Sequence, residues 1–238
     1  MSDLLHVEED AERYLETLAD RIPQARTRWI VETGDPVERI LAAARDEDVD
    51  AVALTSHARS GLMSLLMGSV ARKVVQQIGR PVFLVRPDVP PPRRPSRRIL
   101  VPLDGPEGAH AQLQVVEALA KPTDSMVTLL HVLPAPRVAD PVTGFNPIVI
   151  KPIQLPEVAW LDPFVDVLAH HGVRAEKVVL VGEPEELLLR ESRARNVDLI
   201  VLRTHVRKGI ARLLLGSVAE HIVRKADRAV LLFHRAKD

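Results

Sequence analysis

Apolar residues recur along this chain in two rhythms, and each rhythm predicts a different element. Ala11, Tyr14, Leu15, Leu18 and Ile22 return at helical spacing, so Asp10–Ile22 is expected to form an amphipathic helix. Thr27 to Glu32 (TRWIVE) has the composition of a strand. Gly34-Asp35-Pro36 interrupts it, with Asp35 placed to cap the next helix and Pro36 at its first position. Val37, Ile40, Leu41 and Ala44 give that helix a buried face. Asp50–Leu54 is apolar from Ala51 onward instead of alternating, which is the mark of a parallel strand covered on both sides. Val70, Val74, Val75 and Ile78 then predict a helix, and Pro81–Val85 a closing strand.

The second half continues in the same idiom. Strands are expected over Arg98–Asp104, Met126–Val132, Ala175–Val181, Asp198–Leu202 and Ala229–Phe233. Between them lie helical patterns through Leu113–Ala120, Pro156–His170 and the segments after Gly182-Glu183-Pro184 and Gly216. Five strands alternating with helices predict an α/β fold, a doubly wound parallel five-stranded sheet with helices on both faces. The long connection from Leu133 to Leu155 carries Phe145, Ile148, Val149, Ile150 and Ile153, too apolar for a solvated tether, so part of it is expected to pack on a surface.

One stretch occurs twice. Thr55-Ser56-His57-Ala58-Arg59-Ser60-Gly61 through Gly68-Ser69-Val70-Ala71 returns as Arg203-Thr204-His205-Val206-Arg207-Lys208-Gly209 through Gly216-Ser217-Val218-Ala219. His57 and His205 are 148 positions apart, as are Gly68 and Gly216. The chain therefore divides into a first unit (1–88), a Pro/Arg linker (89–96) and a complete second unit (97–238). The first unit lacks counterparts of the first strand and helix. Asp3-Leu4-Leu5-His6-Val7 resembles Thr128-Leu129-Leu130-His131-Val132 and is expected to be a stub of the second strand. A half-sheet with open central edges calls for strands from the second unit or a second chain, for a rearrangement, or for a start that is truncated from a longer product.

Composition narrows the classes. Acidic and basic residues balance at 32 each, which removes the electrostatic case for nucleic acid or a membrane surface. Cysteine is absent, so disulfides and thiolate chemistry are excluded. No apolar run reaches the roughly 20 residues that span a bilayer, and no signal peptide opens the chain, so a cytoplasmic protein is expected.

The repeated loop leads from an apolar strand into a helix N-terminus, where backbone N–H groups point outward and α/β folds hold anions. At this point the chain resembles the universal stress protein (UspA) family in tandem form. The resemblance rests on Ile99-Leu100-Val101-Pro102-Leu103-Asp104-Gly105, Leu129-Leu130-His131-Val132, Gly182-Glu183-Pro184 and Gly216-Ser217-Val218-Ala219, with Gly34-Asp35-Pro36 and Gly68-Ser69-Val70-Ala71 in the first unit. It implies a nucleotide-hydrolase-like (Rossmann-like) fold, a homodimer paired through last strands and, in one subclass, ATP binding. That subclass has the form Gly-x-x-Gly, nine residues, then Gly-Ser/Thr. Here Arg203 and Val206 replace the first two glycines of the second unit, and Thr55 and Ala58 those of the first. A valine resists positive φ and fills space that a phosphate would use.

The residues that the resemblance nominates for an adenine nucleotide are Asp104, Val132, Arg203, Gly209, Gly216 and Ser217. Asp104 either meets the nucleotide or ends its strand and caps the next helix. Ser217 and Ser69 either meet phosphate or cap the helices behind them. Arg203 either grips phosphate or points into solvent. No Ser-His-Asp ordering, P-loop, GxGxxG or metal-ligand spacing is visible, so the expectation is a non-catalytic stress-response protein acting through dimerisation, with no metal. An ATP-binding sensor confined to the second unit is the alternative, and last strands Pro81–Val85 and Ala229–Phe233 are the expected dimer contacts.

Overall fold

The structure is a computed structural model that describes residues 2–22, 25–55, 67–86, 97–134, 158–204 and 215–233. His57, His205 and Gly209, the linker 89–96, and Phe145 to Ile153 lie outside the described residues. The chain divides into two compact units, Met1–Glu47 and Asp48–Asp238.

The smaller unit holds helices α1 (Ser2–Ala19) and α2 (Pro36–Asp46). Asp35 caps α2 as its position predicts: its carboxylate accepts from the amides of Val37 (2.9 Å) and Glu38 (3.1 Å), and Pro36 follows at the first turn. Two expectations fail here. Residues 3–7 belong to α1 and are no strand stub, because the helical run that continues through Leu18 reaches back over them. Thr27–Glu32 forms no strand either. A strand exists only through its neighbour's hydrogen bonds, and the counterpart of this segment in the second repeat is zipped along its whole length to the strand Met126–Leu133, which has no equivalent among the described residues of the first repeat.

The larger unit is one sheet. Its strands are β1 (Val52–Thr55), β2 (Val82–Val85), β3 (Arg98–Pro102), β4 (Met126–Leu133), β5 (Arg174–Val181), β6 (Leu199–Arg203) and β7 (Ala229–Phe233). They lie side by side in the order β1-β2-β7-β6-β3-β4-β5. Strands β3 to β7 are the expected five-stranded parallel sheet, in the doubly wound order. The first repeat adds β1 and β2 to it, for seven strands in all among the described residues.

The junction between the repeats is antiparallel: Val82 faces Leu232, Phe83 faces Leu231 and Leu84 faces Val230. Phe83 and Leu231 are themselves 148 positions apart, the same offset as the repeat. Each last strand therefore meets its own copy about a local two-fold that passes through this pair. The last strands, expected to be pairing elements, do pair, and here they do so within one chain.

Helices cover both faces. On one side α3 (Ser69–Gln77), α6 (Pro184–Ala194) and α7 (Ser217–Lys225) bury Val75, Leu188 and Ile222 against Leu84, Leu100, Ile200 and Leu232. On the other, α4 (Ala109–Ala120) and α5 (Asp162–His170) bury Leu113, Val116, Phe164 and Leu168 against Ile99, Val101, Leu129 and Leu231. The inner strands β3, β6 and β7 are apolar and buried along most of their length, as two covered faces require. The edge strand β1, expected to be covered on both sides, instead alternates half-buried and exposed, and the other edge strand, β5, carries Arg174, Glu176 and Lys177. Among the described residues no helix is long and apolar enough to cross a membrane.

Candidate functional site

The chain leaves β3 toward β4 on one side of the sheet and returns to β6 on the other, so the order reverses between β3 and β6. Backbones part at the carboxyl ends of two such strands and leave a crevice, which is where open α/β sheets bind ligands. A crevice of about 340 Å³ opens there. That is within the range of about 300–1,000 Å³ typical of small-molecule sites.

Its floor is apolar, from Leu103, Leu130, Val132, Leu188 and Leu202. Its polar groups come from Asp104 after β3, Arg203 at the end of β6, Gly216 and Ser217 at the start of α7, and Gln112 on α4. Five of the six nominated residues, Asp104, Val132, Arg203, Gly216 and Ser217, thus lie around one crevice, while Gly209 is outside the described residues.

Local contacts hold the rim in place. Leu103 is pinned at both backbone groups: its amide donates to the Leu130 carbonyl (2.9 Å) and its carbonyl accepts from Nδ1 of His131 (2.7 Å). That acceptor fixes the imidazole proton on Nδ1. The ring is buried and stands edge-on to Trp160, centroids 5.2 Å apart. On the other strand, the amide (2.8 Å) and hydroxyl (3.2 Å) of Thr204 both donate to the Phe233 carbonyl, which fixes the backbone that follows Arg203.

Three side-chain expectations change. Asp104 does not cap α4, whose cap is Gly108 in the left-handed region at φ 77°. Ser217 does not cap α7; Gly216 occupies the cap position, Ser217 opens the helix, and its hydroxyl lies 3.4 Å from the Glu185 carboxylate. Ser69 likewise follows a glycine cap, Gly68. Arg203 does not point into solvent. Its side chain is 17% exposed and its Nη2 lies 3.5 Å from Oδ1 of Asp104, so it reaches across the crevice toward β3.

Gln112 escapes a search for motifs. It is buried, and its Nε2 donates to the carbonyls of Pro102 (3.2 Å) and Val201 (3.0 Å), one from each parting strand. The signal was present as a lone amide on the stripe Ala109, Leu113, Val116, Ala120, all of which are buried. No group of three or more potential metal ligands gathers among the described residues.

Comparison with known proteins agrees with this architecture. The universal stress protein family matches residues 2–86 and 95–234. A universal stress protein of Synechocystis sp. is 27% identical over 147 residues, covering 57% of this chain and 96% of the relative. One from Methanocaldococcus jannaschii is 27% identical over 154 residues, covering 58% and 95%. The crystal structure of a universal stress protein from Archaeoglobus fulgidus superposes with a TM-score of 0.69 at 23% identity, over 99% of this chain and 80% of the other, and so shares the fold. With both repeats matched, the chain belongs to the universal stress protein family.

Proposed function

We propose that this chain is a non-catalytic, cytoplasmic stress-response protein that carries one small-molecule crevice, in its second repeat, and binds adenine nucleotide there weakly. The observation that supports this is the crevice between β3 and β6. An apolar floor suited to a flat base lies beneath a rim where, among the described residues, the one arginine lining the crevice is already engaged with the one aspartate. Arg203 and Val206, in place of loop glycines, put side chains and restricted backbone where bare glycine would let N–H groups approach a phosphate closely. Among the described residues the first repeat shows no equivalent rim, since no counterpart of β3 or of Asp104 lies among them.

The chain also supplies for itself the last-strand pairing that the family resemblance implies between two chains. With β2 on β7, both last-strand edges are occupied, and the proposed working form is a pseudo-dimer within one chain.

Calorimetric titration of the whole chain with ATP, AMP and cAMP tests the ligand reading. The expected result is one site per chain with a dissociation constant well above micromolar for ATP. Submicromolar ATP at two sites per chain would overturn it, as would turnover of ATP by the purified protein.

A further inference from the structure

Arg203 makes a contact that a solvent-facing arginine would not. Its Nη1 lies 1.6 Å, and its Cζ 2.5 Å, from the point where a Cβ on Gly108 would sit. The guanidinium is therefore laid against the bare Cα of the residue that caps α4, with its Nη2 also 3.5 Å from Oδ1 of Asp104. Gly108 has φ 77°, so the turn itself also favours glycine. An arginine rooted in β6 is anchored on the β3–α4 turn, across the mouth of the crevice.

We infer that Arg203 is a charge-selective bolt: it keeps neutral ligands out of the crevice and admits anionic ones, which take over the guanidinium from Asp104. This rests on the reading of the crevice as a ligand site. Any ligand that enters must part the guanidinium from Asp104 and from the Gly108 seat. A neutral ligand returns nothing to the cation it displaces, so its apparent affinity falls by the fraction of molecules in which the bolt is shut. A phosphomonoester or carboxylate offers a charge-assisted partner in exchange, and arginine's planar fork suits both. Asp104 is itself 65% exposed and does not depend on this contact for solvation, whereas Arg203 at 17% needs a new anion. The selection therefore acts through the arginine.

The experiment compares adenosine with AMP by calorimetry in the wild-type chain, Arg203→Gly and Gly108→Ala, together with amide exchange over residues 104–109. The alanine Cβ would expel the guanidinium while keeping its charge on the chain; because the left-handed turn strains alanine, circular dichroism must first show that variant folded. The bolt predicts that the wild type prefers AMP, that Arg203→Gly reduces the AMP-to-adenosine ratio on the order of tenfold, with adenosine gaining, and that both variants speed exchange over 104–109. An unchanged ratio in Arg203→Gly, or adenosine binding that weakens, overturns it. If no variant binds either compound, the nucleotide reading fails by itself. Exchange then decides the bolt, upheld if residues 104–109 open in both variants and overturned if they do not.

Discussion

Gln112 carries more of the crevice than its chemistry suggests. Its single amide nitrogen bridges the two parting strands, donating to the Pro102 and Val201 carbonyls at 3.2 and 3.0 Å. Replacing Gln112 by alanine removes the donor from one buried and one part-buried carbonyl, at about 1–3 kcal/mol each. Gln112→Ala should therefore lower the unfolding free energy by about 2 kcal/mol or more, read from urea denaturation, while Gln112→Glu should be worse than alanine because it turns the donor into a buried acceptor. Asp35 is a simpler case. Its carboxylate accepts from two first-turn amides of α2, so Asp35→Ala should cost about 1 kcal/mol, seen as lost amide protection at Val37 and Glu38. Asp35 was legible in the sequence because a cap is local: the acceptor and both donors lie within four residues. Arg203 and Gln112 were not, since Asp104 and Val201 lie 99 and 89 positions from them and only the assembled sheet brings them together.

At the scale of elements, the strands of the second repeat could be read almost to the residue, because a parallel strand buried on both faces is a short apolar run and little else. The same test misjudged Thr27–Glu32. Its composition matches that of a strand, yet β5, its counterpart, is held by pairing with β4 at eight registers from Met126↔Arg174 to Leu133↔Val181. No such partner exists for the earlier copy among the described residues. Native-state hydrogen exchange should show this directly, with amides of 27–32 exchanging fast and those of 174–181 protected; equal protection would mean that a partner had been found. The β2–β7 junction makes a second element-scale prediction. Leu231 is buried opposite Phe83, in the core formed with α4 and α5. Leu231→Ala should cost about 2–5 kcal/mol. Since the junction lies inside one chain, that loss should not depend on protein concentration, as a loss at an intermolecular contact would.

For the whole molecule, that independence extends to assembly. Sedimentation at micromolar concentration should find no species held together by last strands, and Phe83→Asp should lower the melting temperature without altering the sedimenting mass; a halved mass would restore the two-chain junction. The tandem architecture was plain from the 148-residue offset, but not that its two halves would close on each other, because an offset says nothing about which edges meet. The local two-fold through Phe83 and Leu231 also has a genetic consequence. In an assembly of identical chains, whatever residue sits on the axis must face itself, so every substitution there is made twice and one side cannot adjust to the other. Here the axis runs through a single gene product, and a phenylalanine faces a leucine, an unequal pair that no symmetric dimer could place on its axis. The two halves are free to change separately, and each replacement at this junction can be answered by a different one across it.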